Sequence, residues 1–186
     1  MRILFLKYGV ITGFLFFVSS LNAQILSFDH GKIEFYTGTV VSDIEAVSEK
    51  SEVSLNTETG DVAVTINIES FEFEYDLMQE HFNEEYMESE KFPQSTFKGK
   101  ISQDISKGVE NEMEVDVEGK LTIHGVSNGI KFKANLSALD DFTVVKVKIP
   151  VVFKDYGIDD PSILTKSVAK DVEIKGTLYL KQAVSF

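Results

Sequence analysis

The sequence predicts an all-β protein, a closed antiparallel barrel of seven or eight strands with one short amphipathic helix. Three observations lead there. Apolar and polar residues alternate with period two through most of the chain, the mark of strands with one face on a core and one in water. Short turn signals join these segments at hairpin spacing: "TGD" at Thr59–Asp61, "HGVSNG" at His124–Gly129 and "LDD" at Leu139–Asp141. Only one stretch has helical spacing. A chain of so many strands must deal with its sheet edges; closure removes them, and a two-sheet sandwich is the alternative.

The first element is not part of that fold. "MRILFLKYGVITGFLFFVSSLNA" places Arg2 and Lys7 before an apolar run from Tyr8 to Val18, then Ser19, Ser20 and Ala23. This order reads as a secretory signal peptide over 1–23, cleaved after Ala23, and the run is short for a bilayer span; an uncleaved membrane anchor is the alternative. One domain, 24–186, remains, without internal repeat or linker.

The strands follow in order. "GKIEFYTG" sets Ile33 and Phe35 on one face. "GDVAVTINIESFEF" aligns Val62, Val64, Ile66 and Ile68, whereas Phe71 and Phe73 fall in the opposite phase, so a bulge or sharp bend is expected near Ser70. Leu77, Met78, His81, Phe82 and Tyr86 then form a one-sided helical stripe, which Pro93 forbids from continuing. "FPQSTFKGKI" resumes strand spacing with Phe97, Gly99 and Ile101 together. Met113, Val115, Val117, Leu121 and Ile123 line the next strand, and Ile130, Phe132, Ala134 and Leu136 the one after. Val145, Val147, Ile149, Val151 and Phe153 follow, with Pro150 among them at an expected bulge or rim position, since proline cannot donate to a ladder. Val172, Ile174, Leu178 and Leu180 close the series.

Composition narrows the function. The chain has 30 acidic residues against 18 basic ones, net −12; loss of Arg2 and Lys7 leaves 16 basic, net −14. Such a surface repels nucleic acid and anionic headgroups, so neither nucleic acid nor stable membrane insertion is expected. There is no cysteine, hence no disulfide, thiolate metal site, thiol nucleophile or lipoprotein anchor. His81 and Glu85 stand one helical turn apart, but no second histidine motif accompanies them, and packing explains His81. His124 and His30 each precede a glycine and read as turn residues. Asp155, Asp159 and Asp160 lack the spacing of a calcium loop. No nucleophile elbow, phosphate loop or dinucleotide fingerprint is present. No catalytic residue, metal site or cofactor is therefore expected. The fifteen phenylalanines are compatible with a filled barrel core or with a cavity for an elongated apolar ligand.

"FPQSTFKGKI" and "VEGKLTIHGVSNGIKFKANL" together resemble the YceI family, which carries an F/Y-P-x-x-x-F segment and then a G-x-L-T-x-H-G-V-x strand–turn–strand. The likeness runs from about Gly31 to the C-terminus, and "LMQEHFNEEYMES" is similar to the segment before the proline in many members. Phe92, Pro93, Phe97, Leu121, Thr122, His124 and Gly125 are the matching positions, and they look like fold markers. The opening "GKIEFYTGTVVSDIEAVSEK" is shorter than in many members and looks like a Bacteroidetes variant.

The resemblance implies an extended, lipocalin-like antiparallel β-barrel of about eight strands with a short amphipathic helix against one end. It also implies an exported protein of a Gram-negative cell, periplasmic or secreted, that holds a polyisoprenoid or fatty-acid-like lipid without catalysis. The expected lining is Phe35, Phe71, Phe73, Phe97, Phe132 and Phe153, with Leu77, Met78 and Phe82 on the helix near a mouth. A buried chain of roughly sixteen carbons would gain about 13 kcal/mol before association costs. A homodimer is compatible with this reading. The alternatives are an exported stress-response or interaction module with a filled core and an acidic binding surface, and a metal-assisted hydrolase built on His81.

Overall fold

A computed structural model describes residues 25–38, 43–158 and 171–183. The expected signal segment, Asp159 and Asp160 lie outside the described residues. Among the described residues there are ten strands: β1 (Ile25–Gly38), β2 (Asp43–Ser48), β3 (Ser51–Asn56), β4 (Asp61–Asn67), β5 (Glu72–Phe73), β6 (Gln94–Ile101), β7 (Met113–Ile123), β8 (Val126–Leu139), β9 (Phe142–Val152) and β10 (Asp171–Gln182). All neighbours are antiparallel, in the order β10-β9-β8-β7-β6-β4-β3-β1, and β1 returns to β10 to close an eight-stranded barrel. The long β1 does two jobs. Ile25–Ser27 pair with β3, while Ile33–Gly38 pair with β2, which carries β5 on its far side. The two extra strands thus form a flap beside one end of the barrel.

The hydrophobic phases read for the barrel strands land on the inner face. The phase switch after Ile68 comes from a 3-10 turn, Ile68–Ser70, rather than a bulge. The Asn67 side chain accepts the Glu69 N–H at 3.2 Å, and the Ser70 and Ser48 hydroxyls meet at 2.7 Å, tying the turn to β2. The β7–β8 hairpin is tighter than expected: only His124 and Gly125 turn, with φ of +51° and +74°, as a two-residue type I′ turn demands. His30 departs from expectation. It lies in β1 beside a register shift at Phe28/His30, not in a turn, and its ring stacks on Tyr179 outside the barrel at 4.3 Å.

The helix is α1 (Asp76–His81), which runs into a π-helical turn, Phe82–Tyr86. The Met87 N–H donates to the Phe82 carbonyl at 2.9 Å, so residues five apart face the same way. Leu77, read as part of the apolar stripe, is 61% exposed, whereas Phe82 and Met87 are buried against the barrel. The π turn re-aims the stripe.

Pro150 occupies a rim, for a reason visible in the ladders. It faces Glu173 of β10 in regular register, but the β8–β9 ladder runs from Leu139/Phe142 only as far as Ala134/Val147. Past that rung β8 and β9 run on without pairing, until Asn128 Nδ2 donates to the Asp155 carbonyl at 2.7 Å. Asp155 belongs to a 3-10 turn, Phe153–Tyr156.

Candidate functional site

At the end away from the helix Leu55, Val115, Leu136 and Leu180 are almost wholly buried, joined by Ile105 from the β6–β7 connection, and Leu55, Leu136 and Leu180 form the floor of an interior space. Toward the helix end the inner face changes character. Val62, Val64, Ile66, Phe132, Val145, Val147, Ile149, Phe153 and Ile174 all point inward yet stay only partly covered, because they meet empty space. That space is a cavity of about 160 Å³. A void of ~150 Å³ holds one benzene ring, so this one has room for roughly six carbons as it stands. Among the described residues Ser95 and Thr96 are the only lining ones with polar side chains.

The wall is thinned to keep this room. Gly99 and Gly119 face each other across β6 and β7, both on the inner face. The Phe97 ring lies flat over the pair: a Cβ built on Gly99 would fall 2.4 Å from its Cζ, and one on Gly119 2.8 Å. Phe97 then meets Phe132 edge-on at 5.4 Å. No side chain but glycine lets an aromatic ring lie along the strands instead of projecting into the void.

The helix end is closed by rings around Phe82. Its centroid is 4.9 Å from Phe73, 5.7 Å from Phe35 and 5.8 Å from Phe71, and Phe35 stacks on Phe153 at 5.6 Å. Of the residues singled out in the sequence, Phe35, Phe71, Phe82, Phe97, Phe132 and Phe153 line the cavity. Phe73 is one ring behind, against Phe82. Leu77 and Met78 are not among the lining residues; Leu77 faces solvent and Met78 is half-buried on α1. Met87 lines the cavity and was missed, because an α-helical period cannot place it beside Phe82. The aliphatic run of β9, recognised as a core face, supplies more of the wall than its phenylalanine content suggests.

His124 fastens this end. Its Nε2 lies 2.7 Å from Glu88 Oε2, and its ring packs on Phe92 at 4.4 Å. A Cβ on Gly125 would fall 2.6 Å from Phe92 Cε1. The "FP" and "HG" elements, 32 residues apart from Phe92 to His124, are therefore one contact: the hairpin tip locked onto the segment after the helix. Among the described residues no group of three or more His, Asp or Glu could hold a metal ion.

A closed, capped antiparallel barrel around an apolar void is a lipocalin-like barrel. The chain belongs to the YceI-like family: the model for the YceI-like domain matches residues 19–180. No curated protein sequence matches it. Among solved structures it is similar to a polyisoprenoid-binding domain from Saccharophagus degradans implicated in plant cell wall breakdown, at 16% identity and a TM-score of 0.75, covering 85% of this chain and 98% of that one. It is also similar to Burkholderia cenocepacia BcnA, at 18% identity and a TM-score of 0.67 over 80% and 95% of the two chains. The Campylobacter jejuni YceI protein follows at 14% identity and a TM-score of 0.55, over 100% and 94%. At these identities the likeness speaks for the fold.

Proposed function

We propose that this protein is an exported, non-catalytic carrier of a long apolar lipid, a polyisoprenoid or fatty-acid-like chain held inside the barrel. Residues 1–23 serve as the export signal and 24–186 as the carrier, in the periplasm or outside the cell. The observation that carries the reading is the unfilled, apolar interior of about 160 Å³. Phe35, Phe71, Phe82, Phe97, Phe132 and Phe153 contact the chain, with Phe73, Leu77 and Met78 around the helix end. The roughly six carbons that the void holds as it stands would gain about 5 kcal/mol gross, at ~0.8 kcal/mol each, and association costs offset much of that. A longer chain requires the rings around Phe82 to give way.

The family membership and the polyisoprenoid-binding domain among the similar folds support the same class of ligand. Native mass spectrometry of the purified mature protein, followed by organic extraction, tests it. The expected result is a single long-chain species at near-stoichiometric occupancy. Protein that carries no lipid, and takes up none when offered, refutes it.

A further inference from the structure

The seam between β8 and β9 borders the cavity, and its outer rim is basic. The last rung of the ladder is Ala134/Val147, so the backbone groups of 129–133 and 148–152 that face each other have no ladder partner. Proline at 150 has no N–H to offer, and a Cβ on Gly129 would have nothing within 4 Å. Behind the seam stand Phe132 and Ile149, both cavity-lining. In front of it, β8 and β9 carry four lysines, Lys131, Lys133, Lys146 and Lys148, and no Asp or Glu, in a chain with 30 acids.

The lysines are arranged against their own stability. Lys148 is directly opposite Lys175 in the β9–β10 register, and Lys133, one residue past the last rung, faces Lys148 across the seam. Like charges opposite one another on adjacent strands are destabilising. Lys131 and Lys133 reach back to Glu118 and Glu114 of β7, and Lys175 to Glu173. Among the described residues Lys146 and Lys148 have no carboxylate partner, although carboxylates dominate the rest of the surface. An anion placed at the seam would relieve this repulsion and accept from the unpaired ammonium groups and the free backbone N–H groups behind them.

We infer that the β8–β9 seam binds the anionic headgroup, of phosphate class, of the lipid whose chain fills the cavity, with Lys133, Lys146 and Lys148 as its ligands. This rests on the carrier reading above and adds a chemical class to the ligand. The chain passes inward between Phe132 and Ile149, and the headgroup stays in water on the lysine row.

Titration calorimetry of the delipidated mature protein with dodecyl phosphate and with 1-dodecanol separates the two claims. Wild type is expected to prefer the phosphate by roughly tenfold or more, the scale of two or three charge-assisted hydrogen bonds at a half-solvated site. K133Q/K146Q/K148Q is expected to lose that preference while binding dodecanol unchanged. K50Q/K107Q, which makes the same kind of charge change away from the seam, is expected to keep it. Equal affinity of wild type for both probes, or a preference that survives the triple variant, overturns the headgroup site and leaves the carrier reading intact. Binding of neither probe overturns the carrier reading and the inference with it. Inorganic phosphate that competes as well as dodecyl phosphate overturns the inference by showing an anion site unconnected to the chain.

Discussion

The glycine pair beneath Phe97 makes the sharpest test of how the cavity is kept open. Gly99→Ala adds one methyl group. In the present geometry that carbon would lie 2.4 Å from Phe97 Cζ and 2.5 Å from the Glu118 carbonyl oxygen, against ~3.5–4.0 Å for an unstrained carbon contact. The backbone oxygen belongs to a paired strand and yields little; the ring can move, but only away from the wall, into the void. Overpacking of this kind costs about 1–3 kcal/mol. At ~2–4 °C per kcal/mol for a domain of this length, Tm should fall by about 2–12 °C. A cavity of ~150 Å³ is what one benzene ring occupies, so a displaced Phe97 would consume most of the 160 Å³ available. Thermal unfolding by circular dichroism and the extracted-lipid yield are measured together on wild type, Gly99→Ala, Phe97→Leu and the double variant. The double variant should be less destabilised than the sum of the singles by about 0.5–3 kcal/mol. If Gly99→Ala unfolds within about 1 °C of wild type, a shift smaller than the overpacking range allows, and keeps its lipid, the flat-ring account of the cavity is wrong.

Three further outcomes are expected. Val147→Phe turns a ring into the void from the opposite wall; its Tm should stay within about 3 °C of wild type, because empty space is filled, while lipid yield drops by roughly tenfold. His124→Ala removes the 2.7 Å contact to Glu88 and the packing on Phe92, at about 1–2 kcal/mol, and limited proteolysis should then cut first between Glu88 and Pro93. Burial holds the Tyr156 phenol above its ordinary pKa, partly opposed by its hydrogen bond with Asn128. Its contribution is therefore fully present below the unfolded value of ~10 and is lost as pH rises through the raised folded value; Tyr156→Phe should flatten the alkaline limb of the stability profile, measured by urea unfolding.

The barrel was legible because its physics is local. Period-two alternation in "NEMEVDVEGKLTI" places Val115, Val117, Leu121 and Ile123 inward whatever the neighbouring strands are, and all four are buried. The two-residue turn at His124 and Gly125 follows from residues that tolerate positive φ. What stayed hidden depends on contacts between distant segments or on a change of helical period. Met87 reaches the cavity only through the π turn, whose Phe82-to-Met87 bond no α-helical pattern anticipates. His30 reads as a turn residue beside Gly31, and only the β1–β10 register shows it stacked on Tyr179. The Gly99–Gly119 pairing joins glycines 20 positions apart, and its meaning appears when one aromatic ring is seen covering both. Net charge misled in a similar way: −12 describes the whole chain and conceals two adjacent strands bearing lysine alone.

An empty interior is costly, and its persistence argues for an occupant. At ~24 cal/mol per Å³, a void of 160 Å³ costs about 4 kcal/mol, a large share of the ~5–15 kcal/mol by which domains are stable. Small changes would remove that cost. A bulkier residue at Val147 would fill the void, a residue with an N–H at Pro150 would extend the β9 ladder toward β8, and larger side chains at Gly99 and Gly119 would project into the space now kept free. The chain has none of these, and it lays the Phe97 ring flat against the wall. Four separate positions, on β6, β7 and β9, give up packing or hydrogen bonds around the same volume. Their shared effect is room for an apolar segment of about six carbons beside a gap in the wall, and a ligand that fills it recovers the stability the empty barrel lacks.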